Sequence, residues 1–139
     1  MTSLDHEAGN VAKSFISHLR SRNFSALELL FAPKATYWVS GDPSVIPWAG
    51  TLPISERAPQ LPAMHNAFQK FQIDQRSLTA EKKRAVVEFG VYGQDKQGGE
   101  YANDVVMVFE IDENGKIISL REYLDSMRAL TYIQAKRDA

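Results

Sequence analysis

Five polar side chains crowd into the last part of the 139-residue chain: Tyr101, Asn103, Arg121, Tyr123 and Asp125. A carboxylate, an amide and phenols are what proton transfer beside a carbonyl uses, the acid moving the proton and the donors holding the oxygen. They can act together only if the backbone puts them on one face. The runs flanking Asp112-Glu113-Asn114-Gly115 alternate with period two, which predicts a hairpin over residues 99–126. Asp at the first turn position and Gly at the fourth fit a type I turn, a left-handed glycine and a bulge, pairing Asp112 with Lys116. In that register Asn103 lies opposite Asp125, Val105 opposite Tyr123 and Met107 opposite Arg121, so all five polar residues share a face. A four-residue loop instead sets Asn103 opposite Leu124.

Elements that could position this face precede it. Val11, Phe15, Ile16 and Leu19 recur at helical spacing between Asp5 and about Ser21, with Asp5 or Ser3 able to cap the start. Ser25-x-x-Glu28 has capping-box spacing for a second, two-turn helix closed by Pro33. Residues 35–40, ATYWVS, read as a short strand with Trp38 and Ser40 on one face. Four prolines between Gly41 and Leu61, together with Trp48, read as an ordered loop or lid. A third helix begins at Pro62 and carries Met64, Ala67, Phe68 and Phe71 as its stripe, with His65 at its edge. Residues 71–79 and 84–92 then read as strands, and residues 127–136 as a short polar tail with a helical turn or two.

Helices first and a long antiparallel meander after them make an α+β domain, a single one over residues 1–139. The opposite face of the meander, with Val106, Val108, Ile118, Leu120 and Leu124, is apolar enough to predict a homodimer through the outer sheet face. Hydrophobic residues at 44% and charged residues at 24% are close to globular averages and suggest neither disorder nor a membrane span. Sixteen basic against 17 acidic residues, with no basic cluster, argue against nucleic acid. The chain has no cysteine and its N-terminus lacks the pattern of a secretory signal, which fits a reducing compartment and predicts a cytoplasmic location. His6 and His18 lack acidic or histidine partners at ligand spacing, so no metal is expected, and without a Gly-rich phosphate loop or dinucleotide fingerprint no cofactor is expected either.

The order of helix, short helix, strand, Pro-rich loop, helix and meander, ending on Gly115-Lys116-Ile117 and Arg121-Glu122-Tyr123-Leu124-Asp125, resembles the SnoaL-like polyketide cyclase and ketosteroid-isomerase-like group. The resemblance covers residues 5–126 and implies the nuclear transport factor 2-like fold: a curved antiparallel sheet wrapped around N-terminal helices to form a cone with a deep pocket. SnoaL-like cyclases carry an acid-base aspartate on the last strand, which implies that role for Asp125. Limonene-epoxide-hydrolase-like members place an arginine and an aspartate where Tyr101 and Asn103 stand, so the water-activating carboxylate pair is incomplete. The steroid isomerases' early aspartate also has no counterpart among Trp38, Val39 and Ser40.

These readings converge on a cofactor-independent cyclase or isomerase for a hydrophobic polyketide- or terpenoid-like intermediate. Asp125 would move the proton, Tyr101 and Asn103 would hold the oxygen, and His65 would be a second acid-base group. Trp38, Ser40, Trp48, Met64, Phe68, Met107, Arg121 and Tyr123 would contact the substrate. Each has an ordinary alternative: Asp125 a surface cap at a strand end, Tyr101 and Asn103 a wet polar pair, His65 a solvated helix edge, Arg121 a partner of Glu88 or Asp104. A non-catalytic binding or dimerisation domain is the rival function, and an epoxide hydrolase or dehydratase a lesser one.

Overall fold

The computed structural model describes residues 7–138; the proposed caps Ser3 and Asp5 lie outside them. Helix α1 (Glu7–Ser21) buries Ala8, Ala12, Phe15, Ile16 and Leu19, one stripe at 3.6-residue spacing. α2 (Phe24–Glu28) is capped by Asn23, whose side chain accepts from the Ala26 amide at 3.2 Å, so the Ser25 capping box is not the one used. Strand β1 (Phe31–Val39) begins before Pro33 rather than after it. Its pairing slips between Phe31 and Thr36, so the proline sits in an irregular stretch where no ladder bond is needed.

The Pro-rich segment is more structured than a loop. It contains β2 (Gly50–Pro53), α3 (Ile54–Arg57) and α4 (Gln60–Asn66). Phe68 and Phe71, expected on a helical stripe, lie instead in β3 (Phe68–Glu81). Strands β4 (Arg84–Asp95), β5 (Glu100–Ile111) and β6 (Ile117–Leu124) complete one curved sheet in the order β2-β1-β6-β5-β4-β3. Among the described residues only the β1–β6 pairing is parallel. The tail is a full helix, α5 (Ser126–Asp138).

The hairpin turn forms as the residues predict. The Asp112 amide donates to the Lys116 carbonyl at 2.8 Å, and Gly115 adopts φ +76°, a conformation glycine takes without steric cost. The register then departs from expectation: Ile111 faces Ile117, but Glu110 faces Ser119, leaving Ile118 as an extra residue. A one-residue bulge sends every later side chain of β6 to the other face. Leu120, Glu122 and Leu124 therefore point with Met107 and Val105 toward the core, while Arg121 and Tyr123 join Val106 and Val108 outside. Burial supplies the reason, since Leu120 becomes completely buried where Arg121 would otherwise have entered.

The concave face packs on α1. Phe15 meets Phe31 and Phe109 edge to face, with centroids at 6.1 and 5.2 Å. Ala85, Val87, Phe89, Ile111, Ile117 and Leu120 seal this end. Farther along the same inner face Val91, Tyr101, Glu122 and Leu124 are only partly buried, so the sheet opens toward solvent there.

Candidate active site

At the open end two strands bring a phenol to a carboxyl. Tyr37 on β1 and Glu122 on β6 point inward from neighbouring strands, and the Tyr37 hydroxyl donates to Glu122 Oε1 at 2.5 Å. That is the short range of a charge-assisted bond. Tyr37 is 1% exposed, whereas Glu122 retains partial exposure toward the opening. Burial pushes the Glu122 carboxyl above its ordinary range, against the downward pull of the Tyr37 bond and the Arg57 charge. Burial, with the Glu122 charge and bond, pushes the Tyr37 phenol well above its own range, so it stays a donor.

Arg57 of α3 supplies the nearby cation. Its guanidinium carbon sits 5.4 Å from the Tyr37 ring centroid. Its NH groups donate to the carbonyls of Trp48 at 3.0 Å, Gly50 at 2.9 Å and Tyr37 at 3.3 Å, and to Gln60 Oε1 at 3.1 Å. One buried arginine thus ties the loop after β1, the start of β2 and α4 to the floor of the site. Arg57 Nε has no partner among the described residues.

Asn103, 2% exposed, makes a closed set of bonds. Its Oδ1 accepts from the amides of Asp104 at 2.8 Å and Asp125 at 2.9 Å, while its Nδ2 donates to the Asp125 carbonyl at 3.0 Å and the Tyr101 hydroxyl at 2.7 Å. Two amide donors and a carbonyl acceptor fix which end of the side chain is oxygen. Asn103 therefore extends the β5–β6 ladder by one rung with its side chain. The Asp125 backbone is held, but its carboxylate lies elsewhere: Oδ1 accepts from the amides of Met127 at 3.0 Å and Arg128 at 3.2 Å, capping α5. Asp125 Oδ2 is also 3.7 Å from Arg128 Nε, and the Asp125 side chain is 48% exposed.

Comparison with known proteins fits this architecture. The family model described as a SnoaL-like domain matches residues 12–120. The chain belongs to the SnoaL-like domain family. It is 27% identical to UPF0523 protein B of Dictyostelium discoideum over 135 residues, covering 90% of this chain and 80% of that protein. Among solved structures, a LEH-like epoxide hydrolase of M. tuberculosis superposes with a TM-score of 0.72 at 17% identity, covering 94% of this chain and 92% of that one. TerC co-crystallized with polyporic acid superposes at 0.77 and 14% identity, covering 92% and 98%. An NTF2-like protein of Burkholderia xenovorans superposes at 0.71 and 19% identity, covering 92% and 96%, and at these identities the likenesses establish the nuclear transport factor 2-like fold alone.

Within this SnoaL-like domain the remaining expected contacts divide. Tyr101 and Asn103 are on the inner face as expected, and Met107, 3% exposed, lies deeper on it. Phe68 stacks against Tyr101 at 6.0 Å and against Tyr132 of α5 at 5.7 Å. Trp48 packs against the core and lends Arg57 its carbonyl. Arg121 and Tyr123 are outside, contrary to expectation, because the bulge turned β6 over, and Trp38 is outside because alternation along β1 turns Tyr37 and Val39 inward. Trp38 meets Tyr123 edge to face at 4.9 Å, and Arg121 pairs with Glu110. Met64 is 52% exposed, because α4 turns it to solvent in place of the expected cavity. Ser40 Oγ accepts from the Leu124 amide at 3.1 Å and so clips β1 to β6.

His65 is neither solvated nor near a carboxylate partner. It is 1% exposed, with Phe71 at 4.3 Å and Phe24 at 5.3 Å. Burial, and then the Arg22 charge, lower it to about 4, so the ring is neutral at physiological pH. Tyr37, Glu122 and Arg57 are the site residues that sequence reading missed. Alternation through Leu120, Glu122 and Leu124 carried a signal for Glu122. Arg57 carried none, because its partners are mostly backbone carbonyls brought together by the fold.

Proposed function

We propose that this SnoaL-like domain is a cofactor-independent cyclase or isomerase that moves a proton beside the carbonyl of a hydrophobic small molecule. Glu122, in place of Asp125, is the group that moves it. The observation that carries this reading is the Tyr37–Glu122 pair at 2.5 Å on the inner face of the curved sheet, where Glu122 keeps partial exposure. A carboxyl raised by desolvation is a stronger base than one in water, which favours proton abstraction. Tyr37 fixes one carboxyl oxygen, leaving the other to face the substrate, and Arg57 steadies the ionised form. The small-molecule ligand named for TerC is consistent with a pocket of this kind.

Epoxide hydrolysis is less well supported. Among the described residues Glu122 has no second buried carboxylate beside it, and Asn103 occupies the place of the aspartate that would complete a water-activating pair. The outer face supports homodimer formation: Ile118 and Tyr123 are each 44% exposed beside half-buried Trp38, Val106 and Val108. Light scattering should give twice the chain mass, and Tyr123→Glu should return it to one.

Activity can be tested without knowing the substrate. Cyclic enones and polycyclic ketones incubated in D2O should exchange hydrogens next to the carbonyl faster with the protein present. Glu122→Gln should lower that acceleration about 100-fold or more, the usual scale of general acid-base catalysis. Unchanged exchange in this variant would overturn the assignment.

A further inference from the structure

Arg57 is 3% exposed and carries its charge into the interior without a carboxylate directly against it. Its terminal nitrogens spend their hydrogens on neutral acceptors, the carbonyls of Trp48, Gly50 and Tyr37 and the Gln60 Oε1. Among the described residues no acidic side chain lies within ion-pair distance of the guanidinium. The remaining N–H, at Nε, is buried and has no partner among them either. A buried cation balanced by neutral dipoles alone is costly, and such a charge is normally met by an opposite one.

The opposite charge is one side chain away. Tyr37 stands between, with its ring centroid 5.4 Å from the guanidinium carbon and its hydroxyl donating to Glu122 Oε1 at 2.5 Å. Arg57 also holds the Tyr37 backbone carbonyl at 3.3 Å, which keeps guanidinium and ring in register. The residues paired with Glu122 in the ladder, Val39 of β1 and Met107 of β5, carry no charge. The other polar groups of this region are engaged elsewhere: Tyr101 with Asn103, His65 between Phe24 and Phe71, and Asp125 with Arg128 and the first amides of α5. Burial is the larger effect on both ends, raising Glu122 and lowering Arg57, and the opposite charge offsets part of each.

We infer that Arg57, Tyr37 and Glu122 form an ion pair bridged by a phenol, in which Arg57 is the positioning residue that keeps Glu122 a carboxylate. The cation polarises the Tyr37 ring, which makes the hydroxyl a stronger donor and tightens its hold on Glu122 Oε1. Tyr37 keeps its proton throughout, and no covalent bond is made or broken within the pair. The consequence for the reaction rests on the assignment of proton transfer to Glu122. A carboxylate is the form that takes a proton from carbon, and desolvation alone would leave the group protonated over more of the pH range. Bridging matters for access as well. An arginine bound directly would clamp both carboxylate oxygens, whereas the phenol occupies one and leaves the other for substrate.

NMR of protein labelled at the glutamate carboxyl carbons follows Glu122 directly, its signal being the one missing in Glu122→Gln. Arg57→Gln should raise the titration midpoint of Glu122 by about one pH unit, the low end of what a nearby opposite charge supplies. Tyr37→Phe should raise it too. The double variant decides the route, because with the phenol gone Arg57→Gln should add little more. Arg57→Lys keeps a cation beside the ring and should bring the midpoint back toward wild type, although both Arg57 variants lose carbonyl bonds and melt lower. An arginine that only holds the fold would lower the melting temperature and leave the midpoint in place, and that result would overturn the inference. Full additivity of Arg57→Gln and Tyr37→Phe would overturn it as well. Wild type offers a check that needs no substitution: the labelled Arg57 Nε signal should shift with the midpoint of Glu122, and a flat signal would also sink the bridged pair. In ketone exchange the same rise should appear as about tenfold slower turnover by Arg57→Gln at a fixed pH below the midpoint. If Glu122→Gln leaves exchange intact, the proton-transfer assignment falls, while the carboxyl titrations still decide the pair.

Discussion

The two ends of the same three strands, β4, β5 and β6, are built on opposite rules. At the closed end Ala85, Val87, Phe109, Ile117 and Leu120 are buried with Phe15 and bring no polar side chain with them. A few residues along, the inner face carries Asn103, Asp95, Glu122 and Tyr101, and the short helices over it add Arg57 and His65. The four buried polar residues among those described, Arg57, His65, Asp95 and Asn103, belong to this second region. Apolar packing there is replaced by hydrogen bonds that fix individual atoms. Asp95, for instance, accepts from the Tyr132 hydroxyl at 2.7 Å and pairs with Lys136 at 2.9 Å, which anchors α5 beside the opening. One end supplies stability, and the other uses part of it to hold polar groups in an apolar setting.

The largest effect should come from opening the closed end. Phe15→Ala removes the ring between Phe31 and Phe109 and should cost about 3–5 kcal/mol in urea denaturation, the usual scale for a buried phenylalanine. The polar geometry of the site should survive in whatever fraction remains folded. A loss under 1 kcal/mol would mean the closed end is not the main source of stability.

His65 breaks the comparison in a pH-dependent way. Its folded value of about 4 lies below the ordinary 6.5, so the native state binds fewer protons than the unfolded chain. The associated stability is complete above 6.5 and is lost as pH falls toward 4, about 3 kcal/mol over that window. In His65→Phe that part of the acid dependence should vanish. Melting curves from pH 7 to 4 for both proteins would show it, and parallel curves would sink the idea.

Glu122 has the opposite sign. Because its carboxyl is raised, the native state favours the protonated form, and its contribution is complete below about 4.5 and lost as pH rises through the folded value. Glu122→Gln should therefore gain stability relative to wild type as pH rises above about 4.5, while losing ketone exchange. A variant that is both more stable and inactive is the signature of strain kept for function. Equal stability at every pH would place the carboxyl in ordinary solvent.

How much of this could be read beforehand depended on how local each cause is. The Asp112–Lys116 turn is decided by five adjacent residues, and it was legible. The bulge at Ile118 is decided by which of Leu120 and Arg121 can be buried against α1, a tertiary question. That single residue moved Arg121 and Tyr123 out and Glu122 in. Phe68 and Phe71 kept helical spacing by coincidence in a chain segment whose pairing with β4 overrides it. Tyr101 and Asn103 precede the bulge, so their shared face survived unchanged.

Asp125 gives the smallest expected effect and the sharpest test of which carboxyl belongs to the site. Its carboxylate caps α5 and is half in water, so Asp125→Ala should cost about 1 kcal/mol through the lost cap. Asparagine caps a helix as well as aspartate does, and the backbone bonds to Asn103 need no side chain at position 125. Asp125→Asn should therefore keep both the melting temperature and ketone exchange within a few-fold of wild type. If exchange fell instead by 100-fold with stability unchanged, the proton would pass through the rim carboxylate, and Glu122 would be a buried support for Tyr37.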